Sequence, residues 1–533
     1  MTETFSESES LRSKNSAPWY FHPIFFGIYP VIALLAANID QIRPQAAIRS
    51  VLISLGLTAV VYFVMGKLLR NRLTAAIFSS FVLFMFFAYG HVYQLLEGWS
   101  IGGFEIGRHR YIGSIWVVIL FSAGIVILKK SKTSRSINEI LNIVSIALII
   151  FPIIQIGVFE TNAASVRTKP VIGKAESLIK DSNTDISPEL LPDVYYIILD
   201  GYSREDVLKD LYGYDNSAFI NELKSLGFVI PDCAQSNYSR TALSLSSTFY
   251  MDYVQNFSHL IKQGDQSLDM PVYHEYIQHN PVRSTLAQYG YQTVAFETGY
   301  FWNEITDADI YIVANDNPLE KLNQGKTVSA FEVLFLRTTA LRMVDELGAK
   351  FTQNLTRNIR TPEEKHHDQV VFALEQLESV PLLPGKKFVY AHIIAPHAPF
   401  VFSPDGRYIS NGSIDPGYLD ATTFINSRVI AIVKSILEKS EIPPVIIIQS
   451  DHGWDEDHRM KILNAYYLPN GGVDQIYPTI TPVNTFRLVF NKFFGGNYSL
   501  LEDTSFYSEE NTPYLFNVVP HTCVSTNSAG KSE

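Results

Sequence analysis

The residues best suited to chemistry lie where two apolar runs end on an acid. Tyr195-Tyr196-Ile197-Ile198-Leu199 leads into Asp200-Gly201, and Ile446-Ile447-Ile448-Gln449 leads into Ser450-Asp451-His452-Gly453. A buried strand that stops on a carboxylate leaves it at a sheet edge, where open α/β folds bind ligands. Two carboxylates and an imidazole are oxygen and nitrogen donors. They suit Zn or Mn best, with Mg also admissible. A glycine after each ligand group lets the chain turn tightly over an ion. About 250 residues separate the two acids, enough for a catalytic domain wrapped around one divalent metal.

A hydroxyl-rich segment, Ser236-Asn237-Tyr238-Ser239-Arg240-Thr241-Ala242-Leu243-Ser244, supplies candidate nucleophiles. A hydroxyl beside a metal loses its proton easily and can attack phosphorus or sulfur. A helix opening there would aim free N–H groups at anionic oxygens, although ordinary Ser/Thr capping gives the same composition. His397, in Pro396-His397-Ala398-Pro399, is held between prolines just past a strand, which recommends it for proton transfer or for contact with a substrate oxygen. His458, in Asp455-Glu456-Asp457-His458-Arg459, is a candidate for metal or substrate contact. His392 reads as structural, and His366-His367 as part of a solvated polar face.

These residues need elements to hold them. Strands are expected at 194–199, 228–230, 292–296, 387–392, 445–449 and 465–468. Helices are expected at 219–226, 281–289, 369–377 and 418–439. Strands alternating with helices of this length indicate a largely parallel sheet covered on both faces. The formal charge of −11 falls mostly on this half and argues against a nucleic-acid partner. The two cysteines, Cys233 and Cys523, lack metal-cluster spacing; they either pair with each other or stay as thiols.

The first 160 residues are different. Apolar runs at 21–39, 51–69, 73–95, 111–128 and 140–159 each have the length to cross about 30 Å of hydrocarbon as a helix. Arg12, Lys14, Lys67, Arg70, Arg72, Lys129, Lys130, Lys132 and Arg135 mark one side; Arg43, Arg49, Arg108 and Arg110 mark the other. That excess places the N-terminus in the cytoplasm and, after five spans, the rest outside it. The loop carrying Glu105, Arg108, His109 and Arg110 offers a basic contact for a lipid phosphate, or simply marks the interface. The expected layout is a five-helix membrane domain over 1–160, a linker over 161–191, a catalytic domain over 192–520 and a loose tail over 521–533.

On these motifs, residues from roughly 192 to 495 resemble the sulfatase-like branch of the alkaline phosphatase superfamily. With the spans ahead of them, the layout is similar to lipoteichoic acid synthases and lipid A phosphoethanolamine transferases. The resemblance implies an N-terminal helical membrane domain plus an α/β alkaline-phosphatase-like domain with a central, largely parallel sheet. It implies metal ligation by Asp200, Asp451 and His452, with His397-Ala398-Pro399 lining the substrate. Laying the sulfatase Cys-x-Pro-Ser-Arg pattern over Thr241-Ala242-Leu243-Ser244-Leu245 matches the serine and puts Thr241, also facing the metal, at the nucleophile. The cysteine, proline and arginine of that pattern are absent, which argues against a formylglycine sulfatase. Arg240-Thr241 instead resembles the Lys-Thr pair of lipoteichoic acid synthases. Ser239 and Ser236 are the alternative registers, and Ser239 is also a candidate for substrate or second-metal contact.

The implied activity is metal-dependent transfer of phosphoglycerol or phosphoethanolamine, from an anionic or zwitterionic phospholipid to a glycan or lipid acceptor, through a phospho-threonine. The implied location is the cytoplasmic membrane, multi-pass, with an extracytoplasmic catalytic domain. The alternatives are a membrane-tethered phosphate- or sulfate-ester hydrolase and a membrane protein that has lost activity.

Overall fold

The structure, a computed structural model, describes residues 19–39, 42, 44–101, 104–105, 107–129, 134–168, 191–264, 273–314, 330–343, 361–410 and 412–521. The chain forms two compact units: 1–158 with 325–359, and 159–324 with 360–533.

The first unit is helical. It contains α1 (His22–Ala37), α2 (Ile48–Leu69), α3 (Arg72–Leu96), α4 (His109–Lys129) and most of α5 (Ser134–Thr168). Among the described residues, four helices are long and apolar enough to cross a membrane. The first, at 16 residues, rises only ~24 Å, short of the hydrocarbon thickness. Most of the spanning window of α3 is buried, 61% against 11% for α2, so α3 is the inner helix of this unit. Leu52, Phe63, Val118 and Phe151 are exposed apolar side chains, the surface a bilayer would cover. Asn71 caps α3 by accepting from the N–H groups of Leu73 and Thr74. The buried His22 ring meets Ser80 Oγ at 2.6 Å and Asn138 Oδ1 at 3.2 Å, fixing α1 against α3 and α5.

A helix from far along the chain, Ala330–Thr338, also belongs here. Glu332 pairs with Arg49, and the Ala340 N–H donates to Phe86 O at 2.8 Å. Gly90 makes the approach possible, since a Cβ there would lie 2.1 Å from Arg337 O. His109 is buried rather than offered to a headgroup: its ring stacks on Tyr93 at 3.6 Å and meets Tyr89 Oη at 2.7 Å.

The second unit is built on β1 (Val194–Leu199), β2 (Gln292–Phe296), β3 (Ile310–Ile312), β4 (Lys387–Ile393), β5 (Val445–Gln449) and β6 (Asn464–Tyr467). They form one sheet in the order β3-β2-β4-β1-β5-β6, parallel except for β6, which runs against β5. The expected strand near 228–230 is reduced to one bridge, Val229 to Tyr466. The central strands are continuous apolar runs because helices cover both faces. Tyr195, Ile197 and Leu199 enter one core; Val194, Tyr196 and Ile198 enter the other.

Around the sheet lie α6 (Glu205–Tyr212), α7 (Ser217–Ser225), α8 (Thr241–Tyr250), α9 (Pro281–Gln288), α10 (Pro362–Leu377), α11 (Ile414–Lys439) and α12 (Pro482–Phe493). Helix α10 begins earlier than expected, because Thr361 and Glu364 form a capping box with Pro362 at the first turn. That start corrects the solvated reading of 366–367. His366 falls on the face shared with Val370, Ala373, Leu374 and Leu377, and is 5% exposed. His367 is half-buried, stacked on Phe402 and bonded to Gly406 O at 2.8 Å.

The last turns of α5 belong to this unit, where Arg167 Nε donates to the buried Glu275 at 2.6 Å. The rest of the expected linker, to residue 190, lies outside the described residues, as does the tail from 522. Cys233 is disulfide-bonded; the chain's other cysteine, Cys523, is among those tail residues.

Candidate metal centre

Strands β4, β1 and β5 run parallel and side by side, so their C-terminal ends meet at one edge. The register pairs Leu199 with Ile393 and Ile198 with Gln449, and the next residues are the ones that matter. Asp200 follows β1, Ser450-Asp451-His452 follows β5, and His397 lies four residues past β4. Gly201 turns the chain at φ +73°, a conformation costly for other residues. Gly453 serves close approach instead: a Cβ there would sit 3.0 Å from Lys461 O and 3.2 Å from His458 O.

Asp200, Asp451 and His452 are all buried, and each offers a ligand atom within 4.8 Å of the others. His452 Nε2 lies 3.4 Å from Asp451 Oδ2 and 3.8 Å from Asp200 Oδ1. These two carboxylate oxygens are buried without a hydrogen-bond partner. Unsatisfied buried anionic oxygens are costly unless a cation meets them. The residues therefore fit a divalent metal. Asp451 Oδ1 is otherwise engaged, accepting the Gly201 N–H at 3.2 Å.

The tautomer of His452 follows from its other nitrogen. Nδ1 lies 2.9 Å from Gly453 O, which can only accept, so Nδ1 carries the proton and Nε2 the lone pair. Burial lowers the His452 pKa against the pull of Asp451, which keeps the ring neutral and able to ligate. Burial alone would raise Asp200, but His397 and His392 outweigh it and hold the carboxyl well below its usual range.

Helix α8 opens on Thr241 beside this cluster, with Arg240 as its N-cap residue. Thr241 Oγ1 lies 3.0 Å from His452 Nε2. The other registers are occupied by structure. Ser239 is fully buried; its hydroxyl donates to Ser508 O at 2.9 Å and accepts the Ser508 N–H at 3.1 Å. Ser236 is fully buried with its hydroxyl toward Met460 Sδ. The His397 N–H donates to Asp200 O at 3.0 Å, and its ring lies 6.0 Å from that of His452 and 5.3 Å from Trp454. His458 pairs with Asp455 Oδ1 at 2.8 Å.

Two neighbours were not assigned to the site from sequence. His392 Nε2 sits 3.2 Å from Asp200 Oδ2, its side chain wholly buried. The register opposes His392 to Ile198, two residues before Asp200, so strand alternation puts both on one face. Arg459 Nη2 lies 3.2 Å from His452 Nε2, and no sequence signal distinguishes it from its charged neighbours.

The fold and site thus define a chain with apolar membrane-length helices and an α/β domain carrying a candidate metal-coordinating cluster. No family model and no curated protein matches the sequence. Solved structures similar to it include the C-terminal periplasmic domain of EcEptC from Escherichia coli in complex with Zn. It is 12% identical, with a TM-score of 0.40, covering 63% of this chain and 95% of that one. Another is the integral membrane lipooligosaccharide phosphoethanolamine transferase A of Neisseria meningitidis, 12% identical, TM-score 0.34, covering 89% and 95%. A third is the phosphonate monoester hydrolase of Agrobacterium radiobacter, 11% identical, TM-score 0.34, covering 59% and 80%. Likenesses at this level carry no argument about reaction or substrate.

Proposed function

We propose that this protein is a metal-dependent transferase that moves a phosphoglycerol or phosphoethanolamine group from a membrane phospholipid to a glycan or lipid acceptor, with Thr241 carrying the group in between. The observation that carries the reading is the placement of Thr241 Oγ1, 3.0 Å from His452 Nε2, beside two buried carboxylate oxygens that lack partners. Asp200, Asp451 and His452 would hold the metal, Zn or Mn by donor type with Mg admissible, and Thr241 would face it. When bound, the metal supplies positive charge that favours the deprotonated hydroxyl and offsets charge gathering on the phosphoryl oxygens.

Thr241 Oγ1 attacks phosphorus, releasing its proton to solvent. A new O–P bond forms as the bond from phosphorus to the lipid glycerol oxygen breaks. The leaving oxygen keeps the electron pair and takes a proton from His397. Arg240 stabilises negative charge on the phosphoryl group. An acceptor hydroxyl then displaces Thr241 by the reverse sequence. The apolar helices would hold the chain at the membrane that contains the lipid donor. In the alternative, the same residues serve a hydrolase of phosphate or sulfate esters, with water as acceptor.

A product assay with head-group-labelled phospholipid tests the reading. Diacylglycerol released together with label on a glycan or lipid supports transfer. Free head-group phosphate alone supports hydrolysis. No product from metal-loaded protein rejects both.

A further inference from the structure

Arg459 is held on three sides. Its Nε–H donates to Ser239 O at 2.7 Å, Nη1 lies 3.4 Å from Glu456 Oε2, and Nη2 lies 3.2 Å from His452 Nε2. The side chain is 12% exposed, whereas Glu456 is 56% exposed and already accepts from Tyr507 Oη. An exposed partner of that kind compensates a buried charge weakly. A second guanidinium, Arg240, adjoins Thr241, and its Nε is buried without a hydrogen-bond partner. Burial and the proximity of Arg459 push Arg240 below the usual arginine range, against the pull of Glu456 and Glu510. Two adjacent cations with one unsatisfied donor form a place that an anion would stabilise.

His452 Nε2 has one lone pair and three claimants: the Thr241 hydroxyl, Arg459 Nη2 and a metal. If His452 gave that lone pair to a metal, Nη2–H would lose its acceptor beside Thr241, while Nε–H would keep the Ser239 carbonyl as an anchor. A non-bridging phosphoryl oxygen on Thr241 is a suitable new acceptor.

We propose that Arg459, together with Arg240, grips the non-bridging oxygens of the group carried on Thr241, and so selects donors whose reacting centre keeps an anionic oxygen over neutral esters. This rests on the reading of Thr241 as the group carrier. Arg459 moves no proton; the bonds made and broken are those already given.

The test uses full-length, metal-loaded protein in detergent, with a chromogenic phosphodiester as substrate and orthovanadate as binding probe. R459A should lower kcat by about 10²-fold, the usual cost of one donor aimed at transition-state charge. It should weaken vanadate binding about tenfold, with metal content and melting temperature close to wild type. R459K should fall between, because an ammonium lacks the planar fork. If R459A does not fold, R459Q decides, since its amide keeps a donor for Ser239 O without the charge. Wild-type kcat/KM and vanadate affinity in R459Q, beside an active wild type, would overturn the inference alone. A metal-loaded wild type that neither turns over nor binds vanadate would overturn the functional reading and the inference with it.

Discussion

Replacing Asp451 by asparagine should abolish the protein's response to metal without destabilising the metal-free fold. Asparagine keeps an oxygen to accept the Gly201 N–H that Asp451 Oδ1 now takes at 3.2 Å. It removes one of two buried carboxylates whose ligand atoms lie within 4.8 Å. At that distance and an effective dielectric of about 20, two unit charges repel by about 3 to 4 kcal/mol. The imidazole of His392, 3.2 Å from Asp200 Oδ2, offsets part of this, so the net relief lies between zero and that figure. In a domain of this size 1 kcal/mol corresponds to about 2 °C, giving a rise of zero to about 7 °C after chelation. Wild-type protein at a hundred times its metal dissociation constant should gain about 3 kcal/mol, or about 5 °C. D451N should gain less than about 1 °C on the same scale. Melting by intrinsic fluorescence, before and after Zn or Mn, with metal content by mass spectrometry, reads both quantities. A chelated D451N that melts several degrees below wild type would refute the electrostatic argument. A full metal shift in D451N would refute the ligand assignment.

Thr241→Ala should abolish turnover while retaining metal, because the proposed ligands Asp200, Asp451 and His452 remain; Thr241→Ser should keep part of the rate, since the proposed attacking oxygen survives. Ser239→Ala should leave specific activity near wild type but cost about 1–3 kcal/mol of stability, read by denaturant melting, because it orphans the buried Ser508 N–H and C=O. His392→Ala should weaken metal binding about 10- to 100-fold, by titration against a competing chelator, through loss of the contact at Asp200 Oδ2. An extracytoplasmic domain predicts that Cys at Asp405, whose side chain is 57% exposed, reacts in intact cells with a membrane-impermeant thiol reagent. Labelling only after permeabilisation would invert the topology.

The buried strands were legible in the sequence. β1 and β5 occupy the expected residues because parallel central strands are mostly apolar runs, and these two lead to Asp200 and Asp451; β2 also falls where expected. The start of α10 and the burial of His366 are not legible in the sequence, because flanking charges obscure the helical spacing that joins His366 to Val370 and Leu374. The shortness of α1 was not legible, since hydropathy registers composition and not where the helix stops at Ala37. Nor did any local signal assign Ala330–Thr338 to the first unit: a nine-residue helix held by the Arg49–Glu332 pair depends on a partner nearly 300 residues away. Arg459 is of the same kind. Its proximity to His452 arises from a turn whose path only the fold sets.

Thr241 is the proposed carrier of the transferred group. Protein mixed with head-group-labelled phospholipid, quenched in acid and mapped by mass spectrometry should show the added phosphoryl group on the peptide containing Arg240-Thr241. The adduct should be absent from T241A and from chelated protein. An adduct on Ser239 or Ser236, or full turnover by T241A, would contradict it.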